Sequence, residues 1–293
     1  MRIRSNFTKV VLKCCGIVVA VLMLNQVSAM AVEDSTLHIG ETLNVMTLNL
    51  AHGRKNSVNQ MLVTTRKTRR NLDDIVQAIV QSGVDVVAFQ EADAPSYWSG
   101  KFDHVAYLAK QSMLPEVVHT AHAQSWLYHY GTALISKLPF TDEVKYTFAP
   151  TPPTTNKGFT LGQIAWKPSI DSDRIVLIDL ISVHLDFSRK TVRDSQVDEM
   201  TVALQRRNNP VIIMGDFNSD WLTGGQAVRE LAQQAKLHAY RPGEAGLATF
   251  SSGGRRLDWI LISGELAFVD YGMLEDDLSD HLAVSATIRL KAQ

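Results

Sequence analysis

Cysteine is almost missing from this chain. Of 293 residues only Cys14 and Cys15 carry a thiol, and both lie within the first 31. The rest of the chain therefore has no thiolate nucleophile, no cysteine-held zinc or iron–sulfur centre and no disulfide. A body of about 260 residues is large enough to rely on a hydrophobic core instead. Proline and glycine are scarce, at 9 and 17 residues, and no repeat or low-complexity tract is present. Collagen-like and disordered classes are thereby excluded. Charge of one sign is lacking too. The 29 basic and 30 acidic residues leave a formal net charge of −1, so the chain is no basic glove for nucleic acid. A long apolar run is the last absence. The longest, at 14–24, is about half of the ~20 residues a membrane-spanning helix needs.

That run belongs to a recognisable N-terminal pattern. Arg2, Arg4 and Lys9 precede it with Lys13 at its edge, and the small residues Ser28, Ala29 and Ala31 follow. A positive region, an apolar core and small residues in that order predict a secretory signal peptide over 1–31, cleaved after Ala29 or Ala31. An uncleaved N-terminal anchor is the alternative. Setting 1–31 aside leaves 25 basic against 30 acidic residues, a mildly acidic body near −5. Residues 32–293 are expected to form a single catalytic domain in a periplasmic or secreted protein.

Short Val/Ile/Leu-rich runs bounded by Gly, Pro, Asn or Asp predict strands over 43–50, 84–90, 132–136, 162–166, 175–184, 211–215, 257–263 and 283–290. Apolar residues at 72, 75, 76, 79 and 80 form the stripe of an amphipathic helix over 71–81, stopped by Gly83. Further helices are expected over 191–207 and 223–235, the second with Thr223 as N-cap. The Pro-rich stretch 149–157 reads as a surface loop. Strands interspersed with helices predict an α/β fold in which two sheets pack together with helices outside.

The chemistry sits at strand ends. Asn49 closes the first strand, Gln90 and Glu91 a second (VVAFQEAD), and His184 a third (ISVHLDF). Asp216 and Asn218 end a fourth (IIMGDFNSD), Asp258 opens a fifth (RRLDWILIS), and Ser279, Asp280 and His281 precede the last. A polar or ionisable group at the mouth of an apolar strand recurs six times. Each motif is short and weak alone, whereas the ordered set is specific. In that order and spacing the chain resembles the endonuclease/exonuclease/phosphatase superfamily of magnesium-dependent phosphoesterases over 43–290. The resemblance implies a four-layer α/β sandwich, two packed central β-sheets flanked by helices, with the site at the rim between the sheets.

Phosphoester hydrolysis needs charge neutralisation, a positioned water and a stabilised leaving oxygen. Glu91 supplies a carboxylate for Mg²⁺, with Mn²⁺ as the alternative cation, because hard cations prefer oxygen ligands. Asn49 adds its amide oxygen to that shell or holds the phosphate, and Asp280 is a second candidate metal ligand. Asp216 and Asn218, two apart in an extended segment, share one face. Asp216 then orients or deprotonates the water, and Asn218 holds a phosphoryl oxygen. His184 donates to a non-bridging oxygen. His281 paired with Asp258 is taken as the base, the carboxylate fixing its tautomer, with Asp216 positioning the water.

Two departures bear on substrate. The abasic-site endonuclease branch has Asp where this chain has Ala51, and Asn where it has His184. The histidine form resembles the deoxyribonuclease, sphingomyelinase and inositol-phosphate phosphatase branches. The acidic body argues mildly against nucleic acid, whose binding draws on Lys and Arg. Against that stand Arg54, Lys55, Arg189, Lys190 and Arg193, just after two site strands. Tyr97, Trp98, Phe102, Phe187, Trp221 and Leu222 suit a lipid headgroup phosphodiester at a membrane surface, with peripheral membrane contact. An exported endonuclease is the alternative, and a catalytically dead binding module on the same fold is the alternative of another class. No obligate protein partner is called for. His52 is set down as a surface histidine, with a phosphate donor as the alternative, and Lys67, Arg69 and Arg70 as a solvated helix edge rather than a nucleic-acid patch. His119, His122 and His129 match no metal-ligand spacing.

Overall fold

The structure is a computed structural model that describes residues 37–223, 226–250, 253–274 and 277–292. The segment 1–31, expected to be a signal peptide, lies outside the described residues. Thirteen strands run in chain order: β1 (Leu37–Ile39), β2 (Thr42–Asn49), β3 (Val86–Asp93), β4 (Glu116–Gln124), β5 (His129–Ser136), β6 (Asp142–Thr147), β7 (Gly158–Lys167), β8 (Val176–His184), β9 (Val211–Asp216), β10 (Leu237–Ala239), β11 (Asp258–Ser263), β12 (Leu266–Leu274) and β13 (Ala283–Leu290). Four α-helices accompany them among the described residues: α1 (Thr65–Ser82), α2 (His104–Gln111), α3 (Lys190–Leu204) and α4 (Ala227–Gln234).

One sheet has the order β1-β7-β8-β9-β11-β10, with β6 paired to β7, and the other has the order β12-β13-β2-β3-β5-β4. The pairs β2–β3 and β8–β9 are parallel, and each is linked by a crossover helix, α1 or α3. A parallel pair requires such a connection. These two crossovers generate the layers. Leu72, Ile75 and Ile79 of α1 bury against Met46 and Phe89 on one outer face. Val197 and Met200 of α3, with Val228 and Leu231 of α4, bury against Ile213 and Trp259 on the other. Between the sheets, Val45 and Ala88 meet Ile178, Ile212 and Ile260. The order is helices, sheet, sheet, helices, as the sequence predicted.

Each expected strand is present. Helix α1 starts six residues earlier than the expected position 71, because Thr64 caps it by accepting from Lys67 N, and it ends at Gly83 with φ 63°. Helix α4 begins at Ala227 with Gln226 as N-cap, so Thr223 is not its cap. The elements not expected were α2 and the strands β1, β4, β6, β10 and β12. Of these, β4, β10 and β12 end their sheets and β6 pairs only with β7. Their half-exposed residues weaken the apolar signal that marks interior strands.

Candidate active site

The registers of β8, β9 and β11 build half of the site. His184 lies opposite Asp216, and Asp216 lies opposite Asp258, so three functional groups form one row across the sheet. Gly215 makes the approach of β8 and β9 feasible. A Cβ there would stand 2.0 Å from the Val183 carbonyl oxygen. The other sheet supplies Asn49 and Glu91 from the ends of its parallel pair, and His281 just before β13.

Asp216 is the meeting point. Its Oδ2 accepts from Asn49 Nδ2 at 3.0 Å and lies 3.5 Å from His184 Nε2 and 3.9 Å from His281 Nε2. Its Oδ1 accepts from the Asn218 backbone N at 2.8 Å. Asn218 is not in extended backbone, as the sequence spacing suggested. Its φ of 48° turns the chain back, and its Nδ2 donates to Leu185 O at 3.0 Å. His281 Nδ1 pairs with Asp258 Oδ2 at 2.8 Å, and that oxygen also accepts from Thr249 Oγ1 at 2.6 Å. Asp258 Oδ1 is buried with no protein partner.

Charge states follow from these contacts. Burial raises the Asp216 carboxyl to about 6, the neighbouring Asp258 adding to the rise and His281 opposing it. Burial works against the His281 imidazolium, but Asp258, Asp216 and Asp280 together push its pKa up to about 10. His281 is therefore protonated near neutrality, whereas the role of base expected for it requires a neutral ring. His184 is pushed well below its usual value by burial and by the Lys157 and His281 charges, so it is neutral.

A cavity of about 230 Å³ opens among these groups, lined by Asn49, Glu91, His184, Asp216, Asn218 and His281, with Phe187 and Phe250 among its walls. Glu91 enters it through a bulge in β3 between Phe89 and Ala92, at φ 48°. Burial opposes ionisation of Glu91, yet His52, Lys157, His281 and Arg54 hold its carboxyl below the ordinary value. Asp280 is outside this lining, its Oδ2 accepting from Arg54 at 2.6 Å.

A divalent cation fits the donor chemistry. Glu91 and the Asn49 amide offer hard oxygens, and the donor atoms of Asp216, Asp258 and His281 all lie within 4.8 Å of one another. The unpartnered Asp258 Oδ1 leaves acceptor capacity at the same place.

Of two further residues at the site, Lys157 was not identified from sequence and His52 was set aside as a surface group. Lys157 closes the stretch read as a surface loop, yet it is buried, with Nζ 3.3 Å from both ring nitrogens of His184. Its position just before β7 repeats the strand-mouth placement of the other groups, a signal masked by the surrounding prolines and threonines. His52 is buried rather than at the surface. Its Nδ1 lies 2.8 Å from Asp93 Oδ2 and its Nε2 lies 3.4 Å from Glu91 Oε2. Elsewhere, His122 is held between Thr132 and Thr147 in the packed interior. Arg189 and Arg193 bond to the Thr151 and Asp186 carbonyls and staple loops. Trp221 packs toward Trp259, away from the cavity lining.

A sequence model described as the Endonuclease/Exonuclease/phosphatase family matches residues 46–281. No curated protein is matched by sequence. Among solved structures, an endonuclease/exonuclease/phosphatase from Beutenbergia cavernae DSM 12333 is similar with a TM-score of 0.65 at 19% identity, covering 86% of this chain and 72% of its own. The mannosyl-6-phosphatase Bt3783 of Bacteroides thetaiotaomicron VPI-5482 has a TM-score of 0.61 at 17% identity, covering 84% and 99%. The human Nocturnin catalytic domain with bound sulfate has a TM-score of 0.62 at 17% identity, covering 86% and 94%. At these identities the likeness is one of fold.

Proposed function

The chain belongs to the endonuclease/exonuclease/phosphatase family of metal-dependent phosphoesterases, and from that membership we propose an exported Mg²⁺-dependent enzyme that hydrolyses a phosphodiester, with a phospholipid or glycolipid headgroup as substrate class. The observation that carries the reaction class is the convergence of Asn49, His184 and His281 on the Asp216 carboxylate inside a small cavity. Export rests on the N-terminal pattern, and protein recovered from outside the cytoplasm is expected to begin near Met30 or Val32.

When bound, the cation neutralises phosphoryl charge and stabilises the leaving oxygen. Glu91 and Asn49 are the residues that hold it, Asp280 being engaged by Arg54. Asp216, with its raised pKa, takes the proton of the attacking water as the new P–O bond forms and the bond to the leaving oxygen breaks. The His281 imidazolium, fixed by Asp258, donates to a non-bridging oxygen, and neutral His184 and Lys157 hold another. This moves the role of base from His281 to Asp216. A cavity of about 230 Å³ takes the phosphoryl group and its nearest substituents, leaving the rest of the substrate outside. That suits a headgroup presented at a surface.

The test is hydrolysis of bis(p-nitrophenyl) phosphate with and without EDTA, followed by a panel of sphingomyelin, phosphatidylinositol, DNA and inositol phosphates. Metal-dependent cleavage of the chromogenic diester is expected, with a lipid preferred in the panel. Activity unaffected by EDTA would sink the metal assignment. A preference for DNA would move the substrate to the nuclease alternative, and p-nitrophenyl phosphate reports monoesterase activity, the chemistry named for the mannosyl-6-phosphatase neighbour.

A further inference from the structure

Five large apolar side chains stand in solvent on three loops beside the Glu91 edge of the site: Val58, Met61, Leu62, Tyr97 and Trp126, exposed by 96, 61, 77, 63 and 83%. The loops adjoin. The turn at Gln60–Leu62 packs on the turn at Tyr97–Ser99, and Trp98 N donates to Leu127 O at 3.3 Å. They are also tied to the site. Trp98 Nε1 donates to Asp93 Oδ1 at 2.9 Å, and its ring lies 4.8 Å from that of His52, which faces Glu91. Scattered exposed apolar residues are ordinary. Five on three adjoining loops next to the site are a grouping of the kind that marks an interaction surface.

Charge selects the occupant. Residues 54–72 contain Arg54, Lys55, Arg66, Lys67, Arg69 and Arg70 and no acid. Arg54 and Lys55 are paired with Asp280 and Asp74, but Arg66, Lys67 and Arg70 are exposed at the start of α1, immediately after Leu62. Lys101 Nζ lies 4.4 Å from the centre of the Tyr97 ring, adding a cation on the neighbouring loop. Apolar tips with Tyr and Trp, ringed by Lys and Arg, match the layering of a membrane interface. Single-stranded nucleic acid would use aromatic stacking platforms, and Val58, Met61 and Leu62 cannot stack on bases. We propose that these loops are a docking surface for an anionic phospholipid bilayer, which places the mouth of the site against headgroup phosphodiesters. The proposal rests on the lipid reading of the substrate and adds the surface that presents it.

Co-sedimentation of the protein with phosphatidylcholine vesicles, with and without phosphatidylglycerol, tests it. Binding to the anionic vesicles is expected, weakening as salt rises because exposed charges are screened. The double variant Leu62→Ser, Trp126→Ala is expected to bind about tenfold or more weakly, from lost apolar burial. Lys67→Glu with Arg70→Glu should weaken binding by about 25-fold or more at low salt, at about fivefold for each lost cation. All these side chains are exposed, so hydrolysis of bis(p-nitrophenyl) phosphate should remain at the wild-type rate. Vesicle binding absent in the wild type, or unchanged in both variants, overturns the docking surface. Binding lost together with soluble-diester hydrolysis means the variants damaged the fold, and Leu62→Ala alone then decides. Retention of a single-stranded DNA oligonucleotide by the same residues, without vesicle binding, also overturns it. Vesicle binding that survives without any diester hydrolysis would instead locate the failure in the catalytic reading.

Discussion

Asp216 receives contacts from both sheets, and its protonation governs the proposed reaction. As a base it must be ionised, so activity should fall as pH drops through its raised pKa of about 6. His281 donates only while protonated, so activity should fall again as pH rises through about 10. Asp216→Asn is expected to lower kcat by about 10²–10⁴ and to remove the acidic limb, and His281→Gln to remove the alkaline one. pH–rate profiles on the soluble diester check this. An acidic limb that vanishes with His281→Gln and survives Asp216→Asn would return the base role to the histidine. The same ring is linked to stability. Its folded pKa exceeds its unfolded value of about 6.5, so its contribution is complete below that value and is lost as pH rises toward 10. Urea midpoints should show a smaller loss between neutral pH and pH 10 in His281→Gln than in the wild type. Glu91→Gln keeps size and removes charge, so half-maximal activity should require more Mg²⁺. Titration of the metal against rate reads this, and an unmoved midpoint would exclude Glu91 as a ligand.

At the scale of elements, the site depends on irregularities placed at strand ends. The bulge in β3 turns Glu91 into the cavity, and the left-handed Asn218 brings its backbone N onto Asp216. A non-glycine residue in that conformation costs about 1–3 kcal/mol, so the surrounding ladder must hold it. Gly215 leaves no room for a side chain. Gly215→Ala would drive a methyl group into the Val183 carbonyl and break the β8–β9 register that aligns His184 with Asp216. A loss of about 2–4 kcal/mol in chemical unfolding is expected, with activity falling further than the folded fraction. Wild-type stability in that variant would mean that β9 can shift without cost.

At the scale of the molecule, catalysis requires two half-sites on different sheets to stay in register. A polar bridge beneath the cavity joins them. Gln90 Nε2 donates to Ser182 Oγ at 3.0 Å, and Ser182 Oγ donates to Phe89 O at 2.8 Å, crossing from β3 to β8. Because misplacement by about 1 Å can cost 10²-fold in rate, Gln90→Leu should lower kcat by about 10–10² while unfolding shifts little. Equal losses in kcat and stability would make the bridge merely structural.

Much of this was legible in one dimension. Interior strands bury both faces, so 43–50, 176–184 and 211–216 are rich in apolar residues, and the polar residue near the end of each, Asn49, His184 or Asp216, announces the site. The amphipathic period of α1 and the need for a crossover between parallel strands fixed the layers. Strands such as β6 and β12 left no such trace, because half-exposed residues satisfy a sheet edge as well as a loop. Lys157 and His52 were hidden for a different reason. A buried cation or histidine is recognisable only by what surrounds it, and their partners His184, Glu91 and Asp93 are up to 41 residues away in sequence. The protonation of His281 likewise depends on its distances to Asp258 and Asp216. Sequence determined which groups are present and in what order along the strands; tertiary structure alone decided which of them carry a proton, because electric fields act through space and not along the chain.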